Sequence, residues 1–295
     1  MAIQYYSAIH GLPTTPSQLG TWSTAAGDDW LMTDAERSAL ETLLSTLRPE
    51  CAIEVGTYRA GSLRVLAKHA KRVYSIDIDP SCAQRYSAEF PNVEFIVGQS
   101  REVLPALLRK LEAEGVHVGL ILIDADHSRR GVREDINMAL ALRPKQHPTY
   151  IVVHDSFNPA CRRGMKEANW SSNPCVHLVE LDFVVGRFVS REEPDSYRQM
   201  WCGLALAILL PQPRTGEIII HENESLMFRT AFWHSAHRFQ TYWNPVFLGA
   251  AVLRRSKRLW TSLHMRVRGT TVIPERETTR HDSGVSLIVG RPPTG

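Results

Sequence analysis

Residues 51–79, CAIEVGTYRAGSLRVLAKHAKRVYSIDID, decide how this chain folds. A short apolar run (Ala52, Ile53, Val55) stops at Gly56. A loop with a second glycine, Gly61, leads into a helical alternation over 63–70, and a β-rich run over 73–78 follows, carrying Asp77 near its end. Strand, tight turn, helix and strand within about thirty residues make one βαβ unit. Such units place a carboxylate about twenty residues beyond the first glycine, on the ribose hydroxyls of an adenosine ligand. Asp77 holds that place. The stretch therefore reads as a nucleoside-cofactor site, against the plainer reading of an α/β domain whose glycine turn binds nothing.

The glycine pattern separates the cofactors. A dinucleotide fingerprint, G-x-G-x-x-G, lets backbone and helix N-terminus close on a pyrophosphate. Here Glu54-Val55-Gly56-Thr57-Tyr58-Arg59-Ala60-Gly61-Ser62 lacks the middle glycine, puts Tyr58 and Arg59 in the turn, and adds the acidic Glu54. An acidic loop repels diphosphate and suits the ammonium and sulfonium of S-adenosylmethionine. On these residues the sequence resembles the class I S-adenosylmethionine-dependent methyltransferases, whose first motif is an acidic residue, any residue, Gly and a loop of small residues. The resemblance implies a Rossmann-like α/β three-layer sandwich, its mostly parallel sheet closed by an antiparallel C-terminal hairpin.

Two continuous apolar runs, VGLILI over 118–123 and YIVV over 150–153, read as strands buried on both faces. They end in Asp124-Ala125-Asp126-His127 and in His154-Asp155-Ser156. Ligands of open parallel sheets sit beyond the carboxyl ends of the strands, so Asp77, Asp124 and Asp155 are predicted at one edge beside the Gly56 loop. Runs over 201–210 and 217–221 read as the closing pair of strands. The resemblance then implies Glu54, Gly56, Thr57, Gly61, Ser62, Asp77, Ile78, Gln99, Ser100 and Asp124 at the cofactor, with Gln99 and Ser100 on the adenine. Ser100 also reads as a helix N-cap.

Methyl transfer from a sulfonium is an in-line displacement, so the protein orients donor and acceptor and removes the acceptor's proton. A divalent cation on the acceptor oxygen would lower its pKa. The words ILIDADHSRRGVREDI and IVVHDSF resemble metal-dependent O-methyltransferases of sugars and natural products, some of which carry the label cephalosporin hydroxylase. That resemblance implies Asp124 and Asp155 as ligands of a divalent metal, Mg²⁺ first, with a small hydroxylated molecule as methyl acceptor. His154 departs from the pattern: it is a poor ligand for Mg²⁺, a good one for Mn²⁺, Fe²⁺ or Zn²⁺, or else a core residue. The base is Asp126 or His127, and Asp126 also reads as an N-cap of the helix starting near Ser128. Two other classes stay open. A metal-dependent hydroxylase-type tailoring enzyme would draw on His127, His154 and Asp155, and a non-catalytic adenosyl-binding subunit would serve a partner.

The rest of the chain frames this core. Residues 1–32 read as an arm or lid, 33–222 as the cofactor-binding domain and 223–295 as an aromatic and basic extension. Thr33-Asp34-Ala35-Glu36 has the form of a capping box before apolar residues at helical spacing. The extension carries Arg254-Arg255-Ser256-Lys257-Arg258 and reads either as a solvated helix or as a dock for an anionic membrane surface, an acidic partner or a second copy in a homo-oligomer. The net charge of +3 is too small to imply nucleic acid, and no N-P-P-Y-type motif follows strand four. Five scattered cysteines without a C-x-x-C pair argue against a disulfide framework and a zinc site and for a reducing compartment. No signal-peptide pattern opens the sequence and no uncharged apolar run reaches 18 residues, so the expectation is a cytoplasmic enzyme.

Overall fold

Thr33 opens the first helix, α1 (Asp34–Leu47), with both arms of the capping box in place. Its backbone N–H donates to Glu36 Oε2 at 2.6 Å, and Glu36 N–H donates back to Thr33 Oγ1 at 3.3 Å. The computed structural model describes residues 30–189 and 198–240. Most of the expected arm, and the extension beyond 240 with its basic run, lie outside the described residues. The chain divides into two compact units, Met1–Ser235 with Leu287–Gly295, and Ala236–Ser286. Of the second, only the short helix His237–Gln240 is described. No helix among the described residues is long and apolar enough to cross a membrane.

After α1 the first unit alternates strand and helix: β1 (Cys51–Val55), α2 (Gly61–His69), β2 (Arg72–Asp77), α3 (Pro80–Tyr86), β3 (Val93–Val97) and α4 (Ser100–Ala113). It continues through β4 (Val118–Ile123), α5 (Arg129–Ala139), β5 (Thr149–His154), α6 (Pro159–Glu167) and β6 (Val176–Val184). The short β7 (Arg187–Phe188) and β8 (Met200–Trp201) pair with each other, and β9 (Leu204–Leu209), β10 (Ile220–His221) and α7 (Ser225–His234) complete it. The main sheet has eight strands in the order β10-β6-β9-β5-β4-β1-β2-β3. Strands β1 to β5 are all parallel, and β9 runs antiparallel between β5 and β6. This is the expected fold class, but the closing hairpin is built from β6 and β9. The 217–221 run leaves only a two-residue strand, parallel to β6 at the sheet edge.

Strand periodicity explains the three layers. On β1, Cys51, Ile53 and Val55 face a core built with α4, α5 and α6, while Ala52 faces another built with α1 and α2. Both faces of β4 and β5 are covered, which is why these strands read as unbroken apolar runs. The chain order reverses between β1 and β4, so the crevice at their carboxyl ends is the topological switch point where open α/β sheets take ligands.

Candidate active site

The crevice begins at Gly56. Its φ is +97°, and a Cβ there would stand 2.1 Å from the carbonyl oxygen of Asp124, so the backbones after β1 and β4 pass too closely for any side chain. The ladder continues around the glycine, with Gly56 N–H donating to Ile76 O and Asp124 N–H to Val55 O, both at 2.8 Å. In the following loop Tyr58 and Ala60 adopt left-handed φ values of 44° and 59°. Asp77 holds this turn: its Oδ2 accepts from Thr57 N–H at 2.8 Å and Tyr58 N–H at 3.1 Å, and its Oδ1 accepts from Asp79 N–H at 2.8 Å.

Glu54 lies beneath the loop. It is fully buried, accepts hydrogen bonds from Ser62 Oγ and Ser75 Oγ, each at 2.7 Å, and does not line the crevice. Burial pushes its pKa up to about 8, against the pull of those two hydroxyls and with help from the charges of Asp124 and Asp77. Glu54 stands behind the loop rather than in the crevice. Through Ser75, whose Oγ is 2.6 Å from Thr57 Oγ1, the carboxyl fastens the loop to β2 instead.

Beyond the strand ends is a cavity of about 610 Å³, within the usual range for small-molecule sites. Gly56, Tyr58, Asp77 and Ile78 line it from the first βαβ unit, and Gly98, Gln99 and Ser100 from the turn after β3. Asp124 to His127, Glu134, Asp135 and His154 line it from the ends of β4 and β5 and from α5, and Leu31 and Met32 line it from the N-terminal segment. Thr57, Gly61 and Ser62, expected at the cofactor, are not among the residues that line the cavity. Ser100 is the first residue of α4 rather than its cap, which is Gln99, and its Oγ bonds Asp135 Oδ1 at 2.5 Å.

Asp135 escaped the sequence reading, though a signal existed: it shares the buried face of α5 with Val132, Ile136 and Ala139. A carboxylate on that stripe marks a packed polar contact. Burial raises its pKa, opposed by the Ser100 hydroxyl. Among the described lining residues, Asp77, Asp124, Asp126, Glu134 and Asp135 face only one strong base, Arg101.

After β4, Asp126 is exposed and its Oδ1 accepts from Ser128 N–H at 2.8 Å; the N-cap of α5 is Ser128 itself. His127 is half-exposed and paired, its Nδ1 2.5 Å from Asp155 Oδ2. Its Nε2 lies 3.8 Å from Asp124 Oδ1. The Asp155 hydrogen bond raises the His127 pKa above the ordinary imidazole value, overcoming partial burial and the nearby His154, with further help from the charge of Asp124. Asp155 has a φ of +61°, a strained value for a non-glycine, and its Oδ1 accepts from Cys202 N–H at 2.6 Å. Burial alone would raise its pKa, but His127, His154 and that amide bring it below the usual carboxylate range. His154 is buried, its Nδ1 2.8 Å from Asp124 Oδ1. Burial opposes its protonation, yet the charge and hydrogen bond of Asp124 lift its pKa well above normal.

This geometry does not fit the expected magnesium set of Asp124, His154 and Asp155. Mg²⁺ takes open carboxylate oxygens and keeps several waters. Both oxygens of Asp155 are committed, to His127 and to the Cys202 amide, and Asp124 Oδ1 is held by His154. Imidazole moreover suits softer ions. In the His127, His154 and Asp155 set that a hydroxylase would need, the carboxylate is committed by the same bonds, and each histidine is bonded at Nδ1.

Residues 53–156 match a family model described as a methyltransferase domain. The match runs from β1 through β5 and takes in the glycine turn and both acidic strand ends. That match spans 104 of the 295 residues and makes this segment similar to a methyltransferase domain. Among solved structures, it is similar to the cofactor-bound protein Rv0187 from MTB at 20% identity and a TM-score of 0.43, over 72% of this chain and 89% of that one. It is also similar to the O-methyltransferase TomG from Streptomyces achromogenes, involved in tomaymycin synthesis and solved with SAM (18%, TM-score 0.45, 60% and 80% of the two chains). An O-methyltransferase from Bacillus cereus, solved with SAH, matches at 16% and 0.42 over 71% and 88%. No curated protein sequence matches the chain.

Proposed function

We propose that this protein transfers the methyl group of S-adenosylmethionine to a hydroxyl of a small molecule, with His127 as the general base. The observation that carries the reading is that His127, held by the buried Asp155, lines the same acidic cavity as Gly56, Tyr58 and Asp77. When bound, S-adenosylmethionine supplies an electrophilic methyl on a positively charged sulfur. The carboxylates of the cavity favour that cation and disfavour a pyrophosphate. Asp77 Oδ1 has one amide donor and so keeps room for a ribose hydroxyl. Ile78, 68% exposed beside it, offers an apolar face to the adenine.

Asp155 holds the Nδ1–H tautomer of His127, which leaves the Nε2 lone pair to accept the acceptor's hydroxyl proton. The imidazolium so formed is stabilised by the same carboxylate. Asp126, already bonded to the Ser128 amide, has no such partner to hold its orientation.

Calorimetry with S-adenosylhomocysteine, with NAD as control, tests the cofactor; release of S-adenosylhomocysteine over a panel of sugars and phenolic natural products tests the transfer. Binding of NAD alone, or no binding of either, would overturn the reading. Asp77→Ala should raise Kd for S-adenosylhomocysteine roughly ten- to a hundredfold, the worth of a charged hydrogen bond. An unchanged Kd removes Asp77 from the site.

The pH profile follows from the raised His127 pKa. The base must be neutral, so kcat/KM should rise with pH through an inflection above the ordinary value of about 6.5. Asp155, Asp124 and His154 are the charged neighbours that set it, the two carboxylates raising and the histidine lowering it. Asp155→Asn removes the largest raising influence and should move the inflection to lower pH while reducing kcat. A profile unmoved by this change means that another group is titrating.

A further inference from the structure

We propose that Glu36, His154 and Cys202 form a buried binding site for a single divalent ion of the zinc type, behind the wall of the methyl-transfer cavity that His154 lines. The three residues come from distant parts of the chain, the first turn of α1, the end of β5 and the turn between β8 and β9. They are 0%, 9% and 5% exposed, and one donor atom from each lies within 4.8 Å of the other two.

Two of these atoms have only each other. Glu36 Oε1 and His154 Nε2 are buried with no other hydrogen-bond partner and stand 3.1 Å apart, an ion pair when His154 carries a proton there and a pair of facing ligand atoms when it does not. Ligand atoms about 2.0 Å from a tetrahedral ion lie roughly 3.3 Å from each other, close to this spacing. An ion between them satisfies both atoms at once.

The second atoms of the same side chains are anchored in the manner of metal ligands. His154 Nδ1 is 2.8 Å from Asp124 Oδ1, giving the carboxylate–histidine–metal arrangement that fixes ring orientation and keeps Nε2 free to coordinate. Glu36 Oε2 accepts from Thr33 N–H at 2.6 Å and Thr33 Oγ1 at 2.8 Å, which turns Oε1 inward. A thiolate, an imidazole and a carboxylate select zinc, or cobalt in its place, over magnesium. With Cys202 deprotonated and His154 neutral, two negative ligands balance the dication. Binding releases the Cys202 thiol proton, and that of His154 Nε2 where it is protonated, to solvent.

The ion would pin the first turn of α1, and with it Leu31 and Met32, to the end of β5. Through His154 it would also fix Asp124. Its role is positioning, and it stands or falls apart from the methyl-transfer reading, because metal content is read without cofactor or acceptor.

The test uses the full chain produced in zinc-supplemented medium and dialysed against metal-free buffer. Elemental analysis should give about one zinc per chain, and refolding with Co²⁺ should give the near-ultraviolet thiolate-to-cobalt band and strong visible bands of a tetrahedral site. Cys202→Ser should remove the thiolate band, Glu36→Gln should weaken cobalt binding at least tenfold, and Cys161→Ser should change neither. No zinc and no thiolate band in the unaltered protein overturns the proposal, with a proton on His154 Nε2 as the sole cation between the carboxylates. A band that survives Cys202→Ser, or is lost in Cys161→Ser, overturns it equally, and the latter moves the ion to His127, Asp155 and Cys161.

Discussion

Replacing His127 with alanine should lower kcat by roughly 10²- to 10⁴-fold, the usual worth of a positioned general base. S-adenosylhomocysteine affinity should stay within about twofold, since the group acts on the acceptor's proton rather than on the bound cofactor. The expectation rests on Nδ1 being held by Asp155 at 2.5 Å while Nε2 faces Asp124 in the cavity. Asp126→Ala is the matched comparison. Asp126 sits in the same turn, but its carboxylate is spent on a backbone amide, so its loss should cost far less rate. The opposite ranking, with Asp126→Ala nearly inactive and His127→Ala close to normal, would transfer the base to the carboxylate. Quenched-flow measurement of a single turnover separates the chemical step from product release in either variant.

The largest effect on stability is expected at Arg162. Its guanidinium is 2% exposed and bonds both oxygens of Asp182, at 2.7 and 2.9 Å. It also reaches Glu222 Oε2 at 3.2 Å and the Ser156 carbonyl at 3.3 Å, and lies 4.4 Å from the centre of the Phe228 ring. Arg162→Leu keeps the apolar bulk and strands the Asp182 carboxylate, itself 1% exposed, without its counter-charge. Breaking a buried pair in this way typically costs about 3–5 kcal/mol. Urea unfolding should show the loss as a fall in midpoint at unchanged slope. Replacing both partners, Arg162→Leu with Asp182→Leu, should recover much of it, because the desolvated charge goes too. If the single variant is as stable as the parent, the ion pair is not holding α6 to β6.

Much of this architecture was legible in the residues. The glycine-ended run before Gly56 and the unbroken apolar runs of β4 and β5 signal parallel strands through local periodicity. Once strands are parallel, Asp77, Asp124 and Asp155 must share one edge. Hidden from a one-dimensional reading was what each polar group touches. Glu54 follows the motif in spacing but turns under the loop to Ser62 and Ser75, because alternate strand residues face opposite sides. Glu36 was visible as a helix cap, yet it also falls on the buried face of α1 with Leu40, Leu43 and Leu44. Asp155 looked like an open ligand until the chain after β8 supplied the amide of Cys202, 47 residues away. The 217–221 run reads as the partner of 201–210, whereas its two-residue remnant β10 lies parallel to β6, since two residues carry too little pattern to choose a partner.

The close passage of residue 56 beneath the Asp124 carbonyl has a consequence for any attempt to re-engineer this protein. The Gly56 loop and the turn from Asp124 to His127, which the proposal gives to the cofactor and the base, are joined there backbone to backbone, with no side chain between them to act as a shim. A library aimed at new acceptors cannot shift one loop without dragging the other, so insertions near 56 or 124 should yield mostly inactive clones. Tyr58 and Arg59 stand at the exposed tip of the turn, where substitution leaves that joint alone. Diversity introduced there, and at Leu31 and Met32 of the cavity lining, gives the wider search at the lower casualty rate.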